Sequence, residues 1–265
     1  MQQKTSFRAT NWPQRIVCLT EETVETLYLL GQSDRIVGVT GYAVRPPQVR
    51  REKPRVGAFT SADVPKIIEL RPDLVLTFSD LQADIAADLI RAGISVHAFN
   101  QRTIAGILQM IQTLGALTAT AGHAHALCEQ YKRRIEQLRN TARASRPKVY
   151  FEEWDTPPIA GIGWVSELIE VAGGVDIFAH LQHQQGAKAR ILNPQDVIDA
   201  APDIILASWC GKKVRTDKIA TRPGWAKIPA VQNGQIYEIK SPLILQPGPA
   251  ALSDGLDAIE RALWA

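Results

Sequence analysis

Cysteine is scarce in this chain, with three among 265 residues and no CxxC pair. That excludes a disulfide framework and a structural zinc site of the usual spacing. Aromatic residues make up only 6%, no run of Lys and Arg is interleaved with them, and the formal net charge is a modest +3. A nucleic-acid partner therefore has no support in composition. No apolar stretch approaches the ~20 residues that span a bilayer, which predicts no membrane insertion. Met1 to Pro13 hold no apolar segment of the length of a secretory leader. With Met1 as the natural start this reads as a cytoplasmic protein, and as a periplasmic one if a leader has been removed.

What the chain does contain is enough apolar material for one large core or two modest ones: 45% of residues are hydrophobic and 22% charged. It also writes one pattern twice. Val64 to Asp80 and Asn193 to Cys210 each read as a short helix, a Pro-Asp corner and an apolar run. Proline turns the preceding residue away from the helical region, and a short β-branched run bounded by turn residues is the mark of a parallel strand covered on both faces. Two lobes of like architecture follow, with Thr77 to Asp80 and Ser208 to Lys213 at the carboxyl ends of strands, where open α/β sheets bind ligands.

In chain order, Arg15 to Leu19 reads as a strand, Thr20 as a helix cap, and Arg35 to Thr40 as the next strand, followed by an irregular loop from Gly41 to Pro47. After the first repeat come a helix over Gln82 to Ala92 and a strand over Ile94 to Phe99. Thr103 to about Ala144 reads as helical almost throughout, with a break around Gly115 to Gly122. Lys148 to Asp155 is a strand running into an acidic, aromatic end; Thr156 to Trp164 reads as a loop and Val165 to Gly174 as a helix with its glycine stop. Lys240 to Pro249 looks too rich in proline to be regular, and Ala250 to Trp264 closes the chain as an amphipathic helix. The domains expected are an N-terminal lobe over 1–102, a connecting helical segment over 103–145 and a C-terminal lobe over 146–265.

Strand alternation puts Glu152 and Trp154 on one face and Glu153 and Asp155 on the other, so half of this acidic run at most faces a ligand; local pairing with Lys or Arg is the plainer reading. Cys210 stands beside Lys212 and Lys213, cations that favour the thiolate, against the plain reading of a small residue closing a strand. Cys18 and Cys128 read as core residues, His97 as a strand histidine, and His180 and His183 as members of a solvated loop without a third metal ligand. Trp12, Trp225 and Trp264 read as packing residues.

The Gly-Tyr loop at Gly41 and Tyr42, the two Pro-Asp corners at Pro72 and Pro202, the run Val165-Ser-Glu-Leu-Ile-Glu-Val-Ala-Gly-Gly and the run Arg222-Pro-Gly-Trp with its Asn-Gly-Gln-Ile-Tyr sequel together resemble the helical-backbone class of ABC-importer substrate-binding proteins. The chain is most similar to the cobalamin-binding members, and more distantly to binders of ferric siderophores and haem. The resemblance runs from about Arg15 to Leu263. It implies an α/β fold of two Rossmann-like lobes with mainly parallel sheets, joined by a long rigid helix, with the ligand in a cleft between the lobes.

For function, the resemblance implies a non-enzymatic binding protein for cobalamin or a related corrinoid, with no cofactor of its own. By position it implies ligand contacts from Tyr42 and Phe59 in the first lobe. In the second lobe it points to the loop bounded by Trp154 and Trp164 and to the segment ending at Gln246. Glu152, Trp209, Cys210 and Lys212 join the set from their places at strand ends. Two alternatives stay open. A siderophore or haem binder would use Arg45, Arg102 or Arg190, and an enzyme on a small polar substrate would use Glu152, Glu153 and Cys210. An ABC permease is the partner the resemblance suggests, yet the acidic docking positions are altered: Pro65 occupies the first, and Asp217-Lys218 lies near the second, with Asp63 or Asp217 as substitutes.

Overall fold

In the computed structural model, which describes residues 12–265, the repeated pattern is built twice in the same way. Helix α3 (Val64–Glu69) gives way to Arg71 in a left-handed conformation (φ 46°), then Pro72 and Asp73, then a strand; helix α8 (Pro194–Ala200) gives way to Ala201, also at φ 46°, then Pro202, Asp203 and a strand. Each residue before the proline is kept from continuing the helix. The aspartate after it has a definite job. Asp73 accepts from the amides of Gln14 and Arg15 (2.7 and 2.9 Å) and Asp203 from that of Lys148 (2.8 Å), so in each unit it ties the start of one central strand to the next.

The chain divides into two compact units. The first comprises the described residues through Asn100 with Ile111–His125; the second comprises Gln101–Met110 with Ala126–Ala265. The segment expected to stand apart as a connector over 103–145 is thus shared out between them. It is two helices, α5 (Ile104–Leu117) and α6 (Ala121–Arg139), rather than one, and the break falls inside the expected window. The turn is made by Ala119 at φ 60°, not by a glycine. Gly115 instead serves packing, since a Cβ there would stand 2.3 Å from that of Ala124.

The first unit holds strands β1 (Ile16–Cys18), β2 (Ile36–Val39), β5 (Leu74–Phe78) and β6 (Val96–Phe99) in the order β2-β1-β5-β6, all parallel. Helices α1 (Glu21–Leu29), α2 (Val49–Glu52), α3 and α4 (Ala83–Arg91) connect them. A small antiparallel hairpin of β3 (Gly57–Ala58) and β4 (Ser61–Ala62), not foreseen from sequence, follows α2. All five residues of β5 are buried, as a doubly covered strand requires, and Val17, Leu19, Val56, Ile67, Val75 and Leu89 form the core on one face. Thr20 does sit at the cap of α1, but its hydroxyl lies 3.2 Å from that of Thr23 instead of taking a helix amide.

The second unit orders β7 (Lys148–Asp155), β8 (Pro158–Ala160), β10 (Ile204–Ala207) and β11 (Ile236–Glu238) as β11-β10-β7-β8, while β9 (Val175–Asp176) also pairs with β7. Every pairing is parallel except β7 with β8. Strand β8 lies where a loop was expected. Pro158 begins it, a position that costs no ladder bond. Helices α7 (Gly163–Val171), α8, α9 (Thr216–Ala220), α10 (Pro229–Gln232), α11 (Ser241–Ile244) and α12 (Leu256–Leu263) surround the sheet. Helix α11 corrects the expectation that its segment is irregular: Pro242 sits in its first turn, where a missing N–H costs nothing. A π-helical stretch, Ala251–Gly255, leads into α12, with Gly255 so close to the Leu243 carbonyl (2.3 Å from an added Cβ) that no other residue fits. Trp225 and Trp264 pack as expected, whereas Trp12 is exposed.

Candidate functional site

The carboxyl ends of the strands carry most of the residues singled out above, and each unit presents its own group of them. In the first unit, Tyr42 stands on the loop after β2, 52% exposed. The loop is held down by a backbone bond from the Gly41 amide to the Gly57 carbonyl (2.7 Å). Gly57 has φ 155°, and an added Cβ would meet the Ser61 carbonyl at 2.3 Å, so only glycine permits this hairpin. Phe59, at the hairpin tip, is half-buried, its ring 6.5 Å from that of Phe78 and tilted by 49°.

A residue that sequence reasoning missed organises this end. The buried Gln82 accepts from the Phe78 amide (2.9 Å) and donates to the Leu19 and Phe59 carbonyls (3.1 and 2.7 Å). One side chain thereby joins the ends of β1 and β5 to the loop that bears Phe59. Nothing in the sequence distinguishes it from an ordinary helix-start glutamine, because its partners are backbone groups from three separate segments.

In the second unit the acidic end of β7 is neutralised inside the protein. Glu152 has no exposed surface: Arg222 forks onto both of its oxygens (2.9 Å for one bond), Trp209 Nε1 donates to it at 3.1 Å and the Tyr150 hydroxyl at 3.1 Å. Burial first, then the Glu152 charge, pushes the Tyr150 phenol well above its ordinary pKa. Glu153 pairs with Arg190 at 2.5 Å, and Arg190, only 1% exposed, also donates to the Ala160 carbonyl. Asp155 pairs with Lys212 at 2.6 Å. Tyr150, Glu152 and Trp154 lie on the side of Trp209, as strand alternation predicts for Glu152 and Trp154, although the register against β8 shifts between them, as a β-bulge does.

These contacts correct part of the expected ligand set. Glu152, Trp164 and Trp209 are buried within the second unit with their polar atoms taken up, so none of the three offers a surface to a ligand. Trp209 is 1% exposed, and Trp164 donates its Nε1 to the Ile244 carbonyl (2.8 Å). Trp164 acts from beneath: with Gln101, which donates to the Pro247 carbonyl (3.0 Å), it fixes the segment that carries the half-buried Gln246.

What the second unit leaves accessible is Trp154, Cys210 and Lys212. The chain turns back sharply over Trp209-Cys210-Gly211-Lys212, with Gly211 left-handed (φ 68°) and the Lys212 amide bonded to the Trp209 carbonyl (3.2 Å). The turn brings the Lys212 ammonium 4.9 Å from the ring centres of both Trp154 and Trp209, a cation over two aromatic faces, while 45% of that side chain stays exposed. Cys210 is exposed at the tip; Cys18 and Cys128 are buried. His97 packs on Phe99 within β6, its ring centre 4.4 Å away.

Among the described residues no group of three or more His, Cys, Asp or Glu is arranged to hold a metal ion, and no helix is long and apolar enough to cross a membrane. The arrangement can present flat aromatic surface, amides and a screened ammonium.

Comparison with known proteins agrees with this architecture. The vitamin B12-binding protein of Vibrio cholerae serotype O1 is 26% identical over 258 residues, 94% of this chain and 87% of that protein. Among solved structures, the periplasmic heme-binding protein RhuT from Roseiflexus sp. RS-1 shares the fold with a TM-score of 0.80 at 24% identity, covering 94% of this chain and 98% of that one. A possible iron-binding (periplasmic solute-binding) protein from Staphylococcus epidermidis gives a TM-score of 0.81 at 21% identity, covering 96% and 99%. The periplasmic binding protein family matches residues 16–243, and with an α/β fold, parallel central sheets and strand-end aromatics already in place, the chain belongs to that family.

Proposed function

We propose that this chain is a non-enzymatic binding protein for a corrinoid, cobalamin or a close relative, received at the carboxyl ends of its strands. The observation that carries the reading is the likeness to a vitamin B12-binding protein along 94% of the chain. The local chemistry supports it. A large, flat, mostly uncharged macrocycle is held by aromatic and aliphatic contact plus a few hydrogen bonds. Tyr42, Phe59 and Trp154 supply the aromatic faces, Gln246 an amide, and Cys210 and Lys212 an accessible thiol and a screened ammonium.

The internal pairing of charges counts against the other readings. For a siderophore or haem binder, Arg190 is committed to Glu153 and Arg45 to Glu25 (2.8 Å), which leaves that alternative to rest on Arg102. An enzyme using Glu152, Glu153 and Cys210 needs a carboxylate free to take a proton, and both carboxylates are engaged by arginines. Docking on an ABC permease would call for an open acidic side chain on each unit. Asp63, which caps α3 through the Lys66 amide (3.1 Å), and Asp217, which pairs with Arg215 (2.8 Å), are both exposed and are the side chains such docking would use.

Titration with cobalamin tests the proposal through the visible spectrum and the melting temperature. A binder at a free ligand concentration one hundred times Kd gains about 2.7 kcal/mol of stability, equivalent to several degrees for a chain of this size. An unchanged spectrum and melting point at saturating cobalamin would overturn it.

A further inference from the structure

A recess lies at the opposite end of the second unit's sheet, beside the start of β7, where Arg146 stands two residues before the strand and Gly173 leads into β9. It has a volume of about 360 Å³, within the range of small-molecule pockets, about 300–1,000 Å³. Three guanidinium groups, Arg139, Arg143 and Arg146, line it against one carboxylate, Glu170.

The three arginines are not equivalent. Arg146 is spent: it pairs with Glu170 and donates to the Gly174 carbonyl (2.8 Å), which offsets the partial negative charge where α7 ends. Arg143 is held in a fixed plane, stacked 4.4 Å from the centre of the Trp264 ring and bonded at one terminal nitrogen to Glu260 (3.2 Å). Its Nε is buried and has no hydrogen-bond partner. Gly173, left-handed at φ 94°, makes room for this placement, since an added Cβ would meet the Trp264 ring at 3.2 Å and the Arg143 stem at 3.4 Å. Arg139, in the last turn of α6, is exposed and makes no ion pair among the described residues.

We propose that this recess is an anion site for a small phosphate-bearing ligand, with the guanidinium of Arg143, held in plane against Trp264, and the guanidinium of Arg139 as its two recognition groups. A preformed guanidinium fork suits the oxygens of a phosphate better than a point charge does. Arg146 and Glu170 cancel each other and shape the wall. Nothing in this assignment depends on the corrinoid reading.

Inorganic phosphate is the probe, titrated into the full chain without corrinoid at ionic strength held constant with chloride. Binding is read by calorimetry and by the Trp264 indole N–H resonance. The expected result is a saturable heat with a matching shift of that resonance. Arg139→Gln, an exposed change that leaves the circular dichroism unaltered, weakens binding about tenfold, and Arg143→Lys, which keeps the charge but removes the planar guanidinium fork, weakens it at least as much. Lys227→Gln, the same charge change elsewhere on the unit, leaves it as it was. Absence of a saturable response, or equal affinity in the wild type and Arg139→Gln, overturns the site.

Discussion

Arg222 spans 70 residues of sequence to fork onto Glu152, a carboxylate whose side chain has no exposed surface. With Tyr150 and Trp209 also donating, the two oxygens of Glu152 receive four hydrogen bonds. The carboxylate is the polar hub around which the end of β7, the turn after β10 and the Arg-Pro-Gly-Trp turn are assembled. Removing one partner strands the other as a buried charge, a loss of about 3–5 kcal/mol. Arg222→Met and Glu152→Gln should each show that loss in urea unfolding. The double variant should cost less than the sum, because it leaves no lone charge.

Trp154 and Trp209 should part company when each is cut to alanine. Trp209 is a core residue, and its loss should cost about 3–5 kcal/mol of stability. Trp154 is only partly buried, packed against the same cluster and lying under Lys212. Trp154→Ala should keep most of the stability and weaken cobalamin at least tenfold, the scale of an aromatic hot spot of about 2 kcal/mol. Melting curves and spectroscopic titration of the two variants separate the roles.

Gln82 is the corresponding test in the first unit. Gln82→Leu removes the hydrogen bonds that this side chain makes with the Phe78 amide and with the Leu19 and Phe59 carbonyls. At about 1–3 kcal/mol for a buried group left unpaired, the variant should lose at least 2 kcal/mol. Hydrogen exchange should show the Phe78 amide among the most accelerated.

Thiol chemistry gives a test that needs no ligand. Cys210 is exposed while Cys18 and Cys128 are buried, so one thiol should react promptly with an aromatic disulfide reagent and Cys210→Ser should abolish that reaction. Burial pushes the Cys18 thiol up to about 12, against about 8.5 for a free thiol. The folded protein therefore keeps the proton that the unfolded chain releases. Stability from this residue is complete below about pH 8.5 and declines as the pH rises toward 12, with a slope of up to about 1.4 kcal/mol per pH unit. Cys18→Ala should flatten that part of the stability profile.

Much of the fold was legible because its signals are local. A proline before an aspartate stops a helix wherever it occurs, and an unbroken apolar run marks a strand covered on both faces. The repeat at Pro72 and Pro202 could therefore be read as two like units, and the break near Ala119 was located to within a few residues. Strand β8 and helix α11 were hidden for the converse reason. Their prolines look like breakers in sequence and are harmless at the first position of a strand or in the first turn of a helix.

The candidate site was legible only as a region. Sequence by itself determined that aromatic and acidic residues would gather at strand ends, since the position of a strand's end follows from where the apolar run stops. Which of those residues are open was decided by tertiary structure. A carboxylate carried into the interior must find a cation, and Arg222 and Arg190 come from segments 70 and 37 residues from their partners. Their pairing withdrew Glu152 from the surface, neutralised the partly buried Glu153 and left Trp154 and Lys212 accessible. Desolvation demands such pairing, and no spacing along the chain records which partner will supply it.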